Sequence, residues 1–587
     1  MVERDSNQEI LDHVRKLITE KKIDRRKLMQ TMAAMGLSAG TLGTAMTKIA
    51  PSAAAQSSDL KLVTVSQEQQ ATWIKNFNPF LPENNVRWPT HAGIYEPLVI
   101  YNEITGETHP WLATEYAWST DNKTLTFKLQ DGVKWSDGEA FDSADVKFTW
   151  DYMIAHEDAR AAGTGAAGNA IPNIASVEAP DAMTVVFKFK EVFTPNLWDV
   201  GEIHIAPEHI WSKIDNPTKE TNETPVGTGP FTVIGEFQPQ YWEIHKNPAY
   251  WQEGLPAFDG FRFPSYPTND AANLATLNGE NDWAGNFIPD VDKTFVAKDP
   301  DHNVWWFPPI GATVHLYVQT TVKPFDDVNV RKAISMAIDR PQIVKVAMYD
   351  YTRPADATGL SDAYPKWLDQ TVVDSGKAWV TRDVDAANKL LDDAGLSKDG
   401  DTRTTADGKK MEYDLLVVTG WSDWVSSVQI ISQNLKEIGI KATVTPMDFA
   451  AWIDKVQKGD FNMSIGWASG GATPLNFYRG VMGSATLHPV GQVSNENWHR
   501  FASKDADAAL KELASTSVED EQIAAGKKLQ KIYSDNAPGI PLFPGPEWGE
   551  FVSTRFTGFP SKDDPYGQLP TWENPARLRV MAKVTPV

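Results

Sequence analysis

Between residues 412 and 467 the chain switches repeatedly between two hydrophobic periods. Strand-like runs over Tyr413–Val418, Ile440–Thr445 and Phe461–Trp467 are separated by helical patterns over Val425–Ile438 and Ala450–Lys458. Gly439 and Gly459 follow the two helical patterns, where a left-handed residue can close a helix. Strand and helix in alternation imply parallel pairing through right-handed crossovers, so this part is predicted to be an α/β lobe. Asp327–Arg340 predicts a further helix. Val330, Ala333, Ile334, Ala337 and Ile338 fall on one stripe, and Pro341 prevents simple continuation. Nearer the N-terminus, Leu125–Leu129 alternates apolar and polar residues, and Asp131-Gly132 predicts a hairpin turn into a short strand, Val133–Trp135. Asp142 is placed to cap a helix, with Asp145 at its third position and Phe141 and Val146 as a hydrophobic staple. Ser176–Ala179 and Thr184–Lys190 alternate again, as strands of one sheet would, and the Gly- and Ala-rich residues 161–170 are expected to form a surface excursion.

Composition narrows the partners. With 41% hydrophobic and 22% charged residues among 587, the chain can build real cores. The first 55 residues carry nine Lys/Arg and six Asp/Glu, and the remainder carries 46 basic and 71 acidic side chains, a net charge near −25. Such a surface repels nucleic acid and anionic lipid. The absence of cysteine excludes disulfides, thiolate metal sites and cysteine nucleophiles.

The N-terminus reads as an address. Asp24-Arg-Arg-Lys-Leu-Met29 has the paired arginines of a twin-arginine signal, Leu28–Ala50 is only mildly apolar, and Pro51-Ser-Ala-Ala-Ala55 offers a small-residue cleavage site. Residues 1–55 are therefore expected to be removed near Ala55 and the mature protein to be periplasmic. No later stretch approaches the ~18 continuous apolar residues of a membrane span.

Several motifs look catalytic and are not. Gly36-Leu-Ser-Ala-Gly40 lies in the signal segment with no preceding strand. His204 and His209 have the wrong spacing for a zinc protease, and Pro207 interrupts the helix such a site requires. Val226-Gly-Thr-Gly-Pro-Phe231 lacks the residues of a phosphate loop, so its glycines are expected to serve a sharp turn between lobes. Asp399-Gly-Asp401 is no calcium loop, because Arg403 occupies a ligand position, and is expected to be a solvated turn.

One stretch carries more identity than chemistry. Trp135-Ser-Asp-Gly-Glu-Ala-Phe-Asp-Ser-Ala-Asp-Val146 resembles the signature W-S-D-G-x-x-F-x-A-x-D-V of the family 5 extracytoplasmic solute-binding proteins of ABC transporters, the oligopeptide, dipeptide, nickel and cello-oligosaccharide binders. Asp142 stands where Thr is usual and Ser143 where Ala is usual. Asn76–Phe80, Gly93–Leu98, Val226–Phe231, Lys246–Trp251, Asp327–Arg340, Leu390–Leu396 and Gly539–Pro544 also resemble that family, in order along the chain. The resemblance implies an α/β, two-lobed periplasmic-binding-protein architecture (class II, venus-flytrap) with an extra inserted domain. By analogy, lobe I comprises 56–97, 225–318 and 540–587, the inserted domain 98–224, and lobe II 319–539. It also implies a monomer without catalysis or cofactor, which captures a small molecule and delivers it to an inner-membrane permease driven by an ATPase.

Tryptophans point to the ligand. In open α/β sheets ligands bind beyond the carboxyl ends of the strands, and here those ends deliver Trp421, Trp424, Trp467 and Ser469. An indole combines a broad apolar face with one N–H donor, which suits a sugar ring. All 22 tryptophans follow residue 55, and Glu280–Asn286 resembles a segment of the family's oligosaccharide binders, adding Trp283 and Asn286 as candidates, with Trp73 and Asn76. Peptide binders of the family place an Asp shortly after the tryptophan corresponding to Trp467, and none occurs here before Pro474. No histidine cluster suggests nickel. An oligosaccharide is therefore the expected ligand, ahead of a peptide. A secreted glycoside hydrolase, with two carboxylates at set separation, is the alternative from another class.

Overall fold

A computed structural model of the chain describes residues 60–67, 70–81, 88–156, 159, 170–572 and 575–587. The expected signal segment with its cleavage site near Ala55, and all but the last residue of the 161–170 excursion, lie outside the described residues.

The alternation in 412–467 becomes the centre of a five-stranded sheet. Glu412–Val418 pairs in parallel with Lys441–Met447 on one side and with Met463–Gly466 on the other. Helices Ser422–Glu437 and Phe449–Lys458 make the connections, and Gly459 caps the second in the left-handed conformation. Gly311–Val318 and Ile540–Gly545 complete the sheet with antiparallel pairing. The sequence division assigned both of these strands to lobe I, whereas the pairing places them in the sheet of lobe II. The chain therefore passes between lobes just before Gly311 and just after Gly545. The helix Val328–Ala337 buries Val330, Ala333, Ile334 and Ala337 in the core of this lobe. Pro341 does not end that helix. It sits in the first turn of the next, Arg340–Gln342, where no backbone N–H is needed.

The other lobe is built on a seven-stranded sheet that gathers Asn303–Trp305, Glu550–Val552, Trp283–Ala284, Leu62–Ser66, Gly260–Pro264, Tyr241–Lys246 and Phe231–Gln238, in that order. A third core, drawn mainly from Leu98–Trp211, surrounds a four-stranded antiparallel sheet in which Thr124–Leu129 and Thr184–Phe189 are central.

The signature stretch is explained by its hydrogen bonds. Asp142 accepts from the Ala144 N–H at 2.7 Å and Asp145 accepts from the Asp142 N–H at 3.1 Å, a reciprocal cap for helix Ser143–Ala155. Asp145 also accepts from the buried Trp135 indole and the Glu208 N–H. Val133–Trp135 is not a strand: a single bridge, Lys134 to Ala140, closes the turn. Nor do Gly227 and Gly229 make a left-handed turn. A Cβ there would lie 2.0 Å from the Ile94 carbonyl oxygen and 2.1 Å from that of Gly93, so both glycines permit backbone contact. Asp399-Gly-Asp401 tops the hairpin between Ser397–Asp399 and Thr402–Thr404, from which Arg403 turns inward to Asp392 and the Ile438 carbonyl.

Candidate ligand-binding site

Three adjacent parallel strands end side by side in the five-stranded sheet, and each releases an aromatic residue. After Glu412–Val418, Gly420 turns with φ 88° and Trp421 precedes helix Ser422–Glu437. After Lys441–Met447, Phe449 opens its helix, and Trp467 follows Met463–Gly466. Ring centroids are 5.0 Å apart for Trp421 and Trp424, 6.2 Å for Trp421 and Trp467, and 6.1 Å for Trp424 and Trp467. Phe449 lies nearly parallel to Trp467 at 6.4 Å. Trp452, fully buried, backs the cluster and donates to Ser464 Oγ at 3.0 Å. The indole N–H groups of Trp421, Trp424 and Trp467 have no acceptor among the described residues.

These rings form one wall of a cavity of about 570 Å³. Tyr101, Glu103, Trp198, Asp199 and Glu202 face it from the Leu98–Trp211 region, Trp88, Phe287 and Trp572 from lobe I, and Glu547 and Trp548 from the segment where the chain crosses between lobes. Such a volume suits a small molecule of a few linked units. Among the described lining residues there are five carboxylates and no Lys, Arg or His. Asp423 sits in the first turn of its helix, where the helix dipole favours a charge. Burial nevertheless pushes its carboxyl up to about 6, against the lowering effect of nearby backbone N–H groups. The Gly470–Ala472 loop is pinned by Tyr364, whose hydroxyl donates to the Gly471 carbonyl at 2.8 Å.

The structure brings Trp421, Trp424 and Trp467 to this cavity and places the other sequence candidates elsewhere. Ser469 turns away and donates to Glu496 at 3.1 Å. Trp73 is buried edge-on against Trp242 and Phe263. Trp283 packs against Phe559 and donates to the Leu569 carbonyl at 2.7 Å. Asn76 accepts from the Asn78 N–H. Asn286, fully buried, joins Ser66, Thr276 and Glu550. Sequence reasoning missed Asp423, Glu547, Trp548 and the acids of the Leu98–Trp211 region. Asp423 was within reach, because it shares the strand-end segment with Trp421 and Trp424. The others meet the cavity only through the tertiary fold.

A model of the bacterial extracellular solute-binding proteins, family 5 middle region, matches residues 107–487, and the chain belongs to this family. The glutathione-binding protein GsiB of Escherichia coli K12 is 29% identical over 453 residues, covering 73% of this chain and 79% of that protein. Among solved structures, the mannohexaose-bound periplasmic oligopeptide-binding protein of Thermotoga maritima superposes with a TM-score of 0.80 at 23% identity, covering 90% of this chain and 98% of that one. AppA of Bacillus subtilis in complex with a nonapeptide gives 0.71 at 20% identity, with coverage of 90% and 98%. The fold is that of the two-lobed periplasmic binding proteins. The chain is thus a periplasmic substrate-binding protein of an ABC importer, in a family of solute-binding proteins that present a small molecule to a permease.

Proposed function

We propose that this protein captures an oligosaccharide between its lobes and delivers it to the inner-membrane permease, without transforming it. The observation that carries this reading is the chemistry of the cavity wall. Indole faces at Trp421, Trp467 and Trp548 suit the C–H faces of sugar rings, and carboxylates suit their hydroxyl donors. A peptide ends in a carboxylate and glutathione bears two, and the described wall offers neither a cation nor a histidine to meet them. No acid follows Trp467 before Pro474, but Asp423 supplies one to the same cavity from another strand end.

In this reading the ligand first stacks on the lobe II tryptophans. The crossing segments before Gly311 and after Gly545 then let the lobes close, and the closed population rises only as far as the ligand prefers it. The proposal includes export by the twin-arginine route with removal of residues 1–55, and an inserted domain at 98–224 completing the far wall.

Calorimetric titration of the mature protein with cello-, manno- and galacto-oligosaccharides, glutathione and a mixed peptide library tests it. Heat with a sugar alone is expected. Heat with peptides or glutathione alone overturns the sugar assignment, and release of reducing ends at catalytic rates overturns the transport reading in favour of a hydrolase.

A further inference from the structure

Asp423 is 6% exposed, lines the cavity, and makes no ion pair with any described residue. A buried carboxylate without a counter-charge is costly unless it takes up a proton, as Glu96 does, or a cation enters the site to meet it. Its surroundings are equally specific. It lies between Trp421 and Trp424 in sequence, and Trp467 and Phe449 complete an aromatic enclosure with centroid separations of 5.0 to 6.4 Å. Aromatic faces attract cations, most strongly where water is excluded. Glu103, Asp199, Glu202 and Glu547 also line the space, but each has a partner of its own, which leaves Asp423 as the acid available to a ligand. The guanidinium of Arg479 does not line the cavity and is engaged by Glu496 at 2.9 and 2.8 Å.

We infer that the ligand carries a protonated amine, which enters the indole-lined end of the cavity and pairs with Asp423, so that the sugar is an oligosaccharide of unacetylated hexosamine units. This rests on the oligosaccharide reading above and adds the charge. A neutral sugar would leave Asp423 either charged without a counter-ion or holding a proton in the closed protein. A hexosamine answers it with an ammonium, whose flanks are covered by rings.

Matched ligands test the charge separately from the sugar. Isothermal titration would compare the glucosamine oligosaccharide, its glucose counterpart of equal length and linkage, and its N-acetylated form. At least about a tenfold preference for the amine over both neutral forms is expected. That preference should shrink in high salt and largely disappear in the near-isosteric Asp423→Asn variant, whose folding is checked by thermal melting. Equal affinity for amine and hydroxyl forms overturns the inference while leaving the sugar reading standing. If no sugar binds, the sugar reading fails, and peptides carrying lysine or norleucine at one position take over the test. A lysine preference lost in Asp423→Asn keeps the cation subsite, and no such preference removes it.

Discussion

Glu96 and Asp423 are both buried carboxyls set among tryptophans, and they are used in opposite ways. Around Glu96 the aromatic donors point at the acid: Trp111 Nε1 at 2.7 Å, Tyr250 hydroxyl at 2.9 Å and Trp251 Nε1 at 3.0 Å. This joins the Gly93–Leu98 segment to the Lys246–Trp251 segment, two of the stretches that carried the family resemblance. Around Asp423 the indole N–H groups have no acceptor, and the carboxyl no ion pair, among the described residues. The first arrangement is complete in itself. The second leaves side-chain donors and a carboxyl open to the cavity. Hydrogen-bond satisfaction, more than residue type, separates a structural cluster of acids and indoles from a receptive one.

The largest expected effect tests the structural side. Trp283 is 2% exposed, packed among Phe261 and Phe559, with its N–H on the Leu569 carbonyl. Trp283→Ala removes that packing and should destabilise the protein by about 3–5 kcal/mol, as large core truncations do. Thermal melting reads the loss. Unchanged stability, together with abolished ligand binding, would move Trp283 to the receptive side.

Next in size is a pH effect at Glu96. Burial pushes this carboxyl up to about 7 despite its three aromatic donors. In the folded protein it holds its proton at pH values where the unfolded chain has lost its own. Its contribution to stability is therefore full below the ordinary carboxyl range and is lost as pH rises to about 7. The size is on the order of 3 kcal/mol. Glu96→Gln cannot ionise, so its stability relative to the parent should improve by that amount between pH 4.5 and 7.5. Measuring the difference also cancels the buried His315 and His499, whose lowered pKa values act in the opposite direction below about 6.5. Parallel melting curves for the two proteins across that range would refute the assignment.

The contrast also explains what the sequence made legible. Strand and helix periods in 412–467 located the lobe, and the rule that ligands gather beyond strand ends led to Trp421, Trp424 and Trp467. Trp283 and Asn286 are candidates through the resemblance of Glu280–Asn286 to a segment of oligosaccharide binders, and Trp73 and Asn76 through residue type alone; neither property says which way a side chain points. Trp283 alternates inward on a two-residue strand, and Asn286 is held by partners 10 to 264 residues away. The acids on the far wall come from a region whose approach to lobe II depends on long-range packing. No local pattern encodes that approach.

On the receptive side, Trp467→Ala or Trp421→Ala should weaken ligand binding by about 1 kcal/mol or more through lost stacking. Both rings are half-buried at the cavity edge, so thermal stability should fall far less than in Trp283→Ala. Titration beside melting separates the two effects. A large melting shift without a change in affinity would make these indoles core residues after all.

The smallest effect asks how much of the affinity comes from closing the wall as opposed to lining it. Thr194, in the region facing lobe II, donates its N–H to the Ala514 carbonyl at 2.9 Å and its hydroxyl to the Thr516 carbonyl at 3.0 Å. Both acceptors belong to the lobe that carries Trp421 and Trp467, while Thr194 does not line the cavity. Thr194→Val keeps the shape and the backbone bond but removes the hydroxyl donor, a loss of about 1 kcal/mol when the acceptor stays buried. If that bond exists only when the lobes are together, the loss falls on the closed state alone. Apparent affinity then drops several-fold for every ligand, in proportion to the closed fraction, with faster dissociation and unchanged preference among ligands. Asp423→Asn should do the reverse, changing preference more than overall closure. Stopped-flow binding of one amine-bearing and one neutral sugar to both variants distinguishes them. A change of ligand preference in Thr194→Val would mean that closure and recognition are not separable in this cavity.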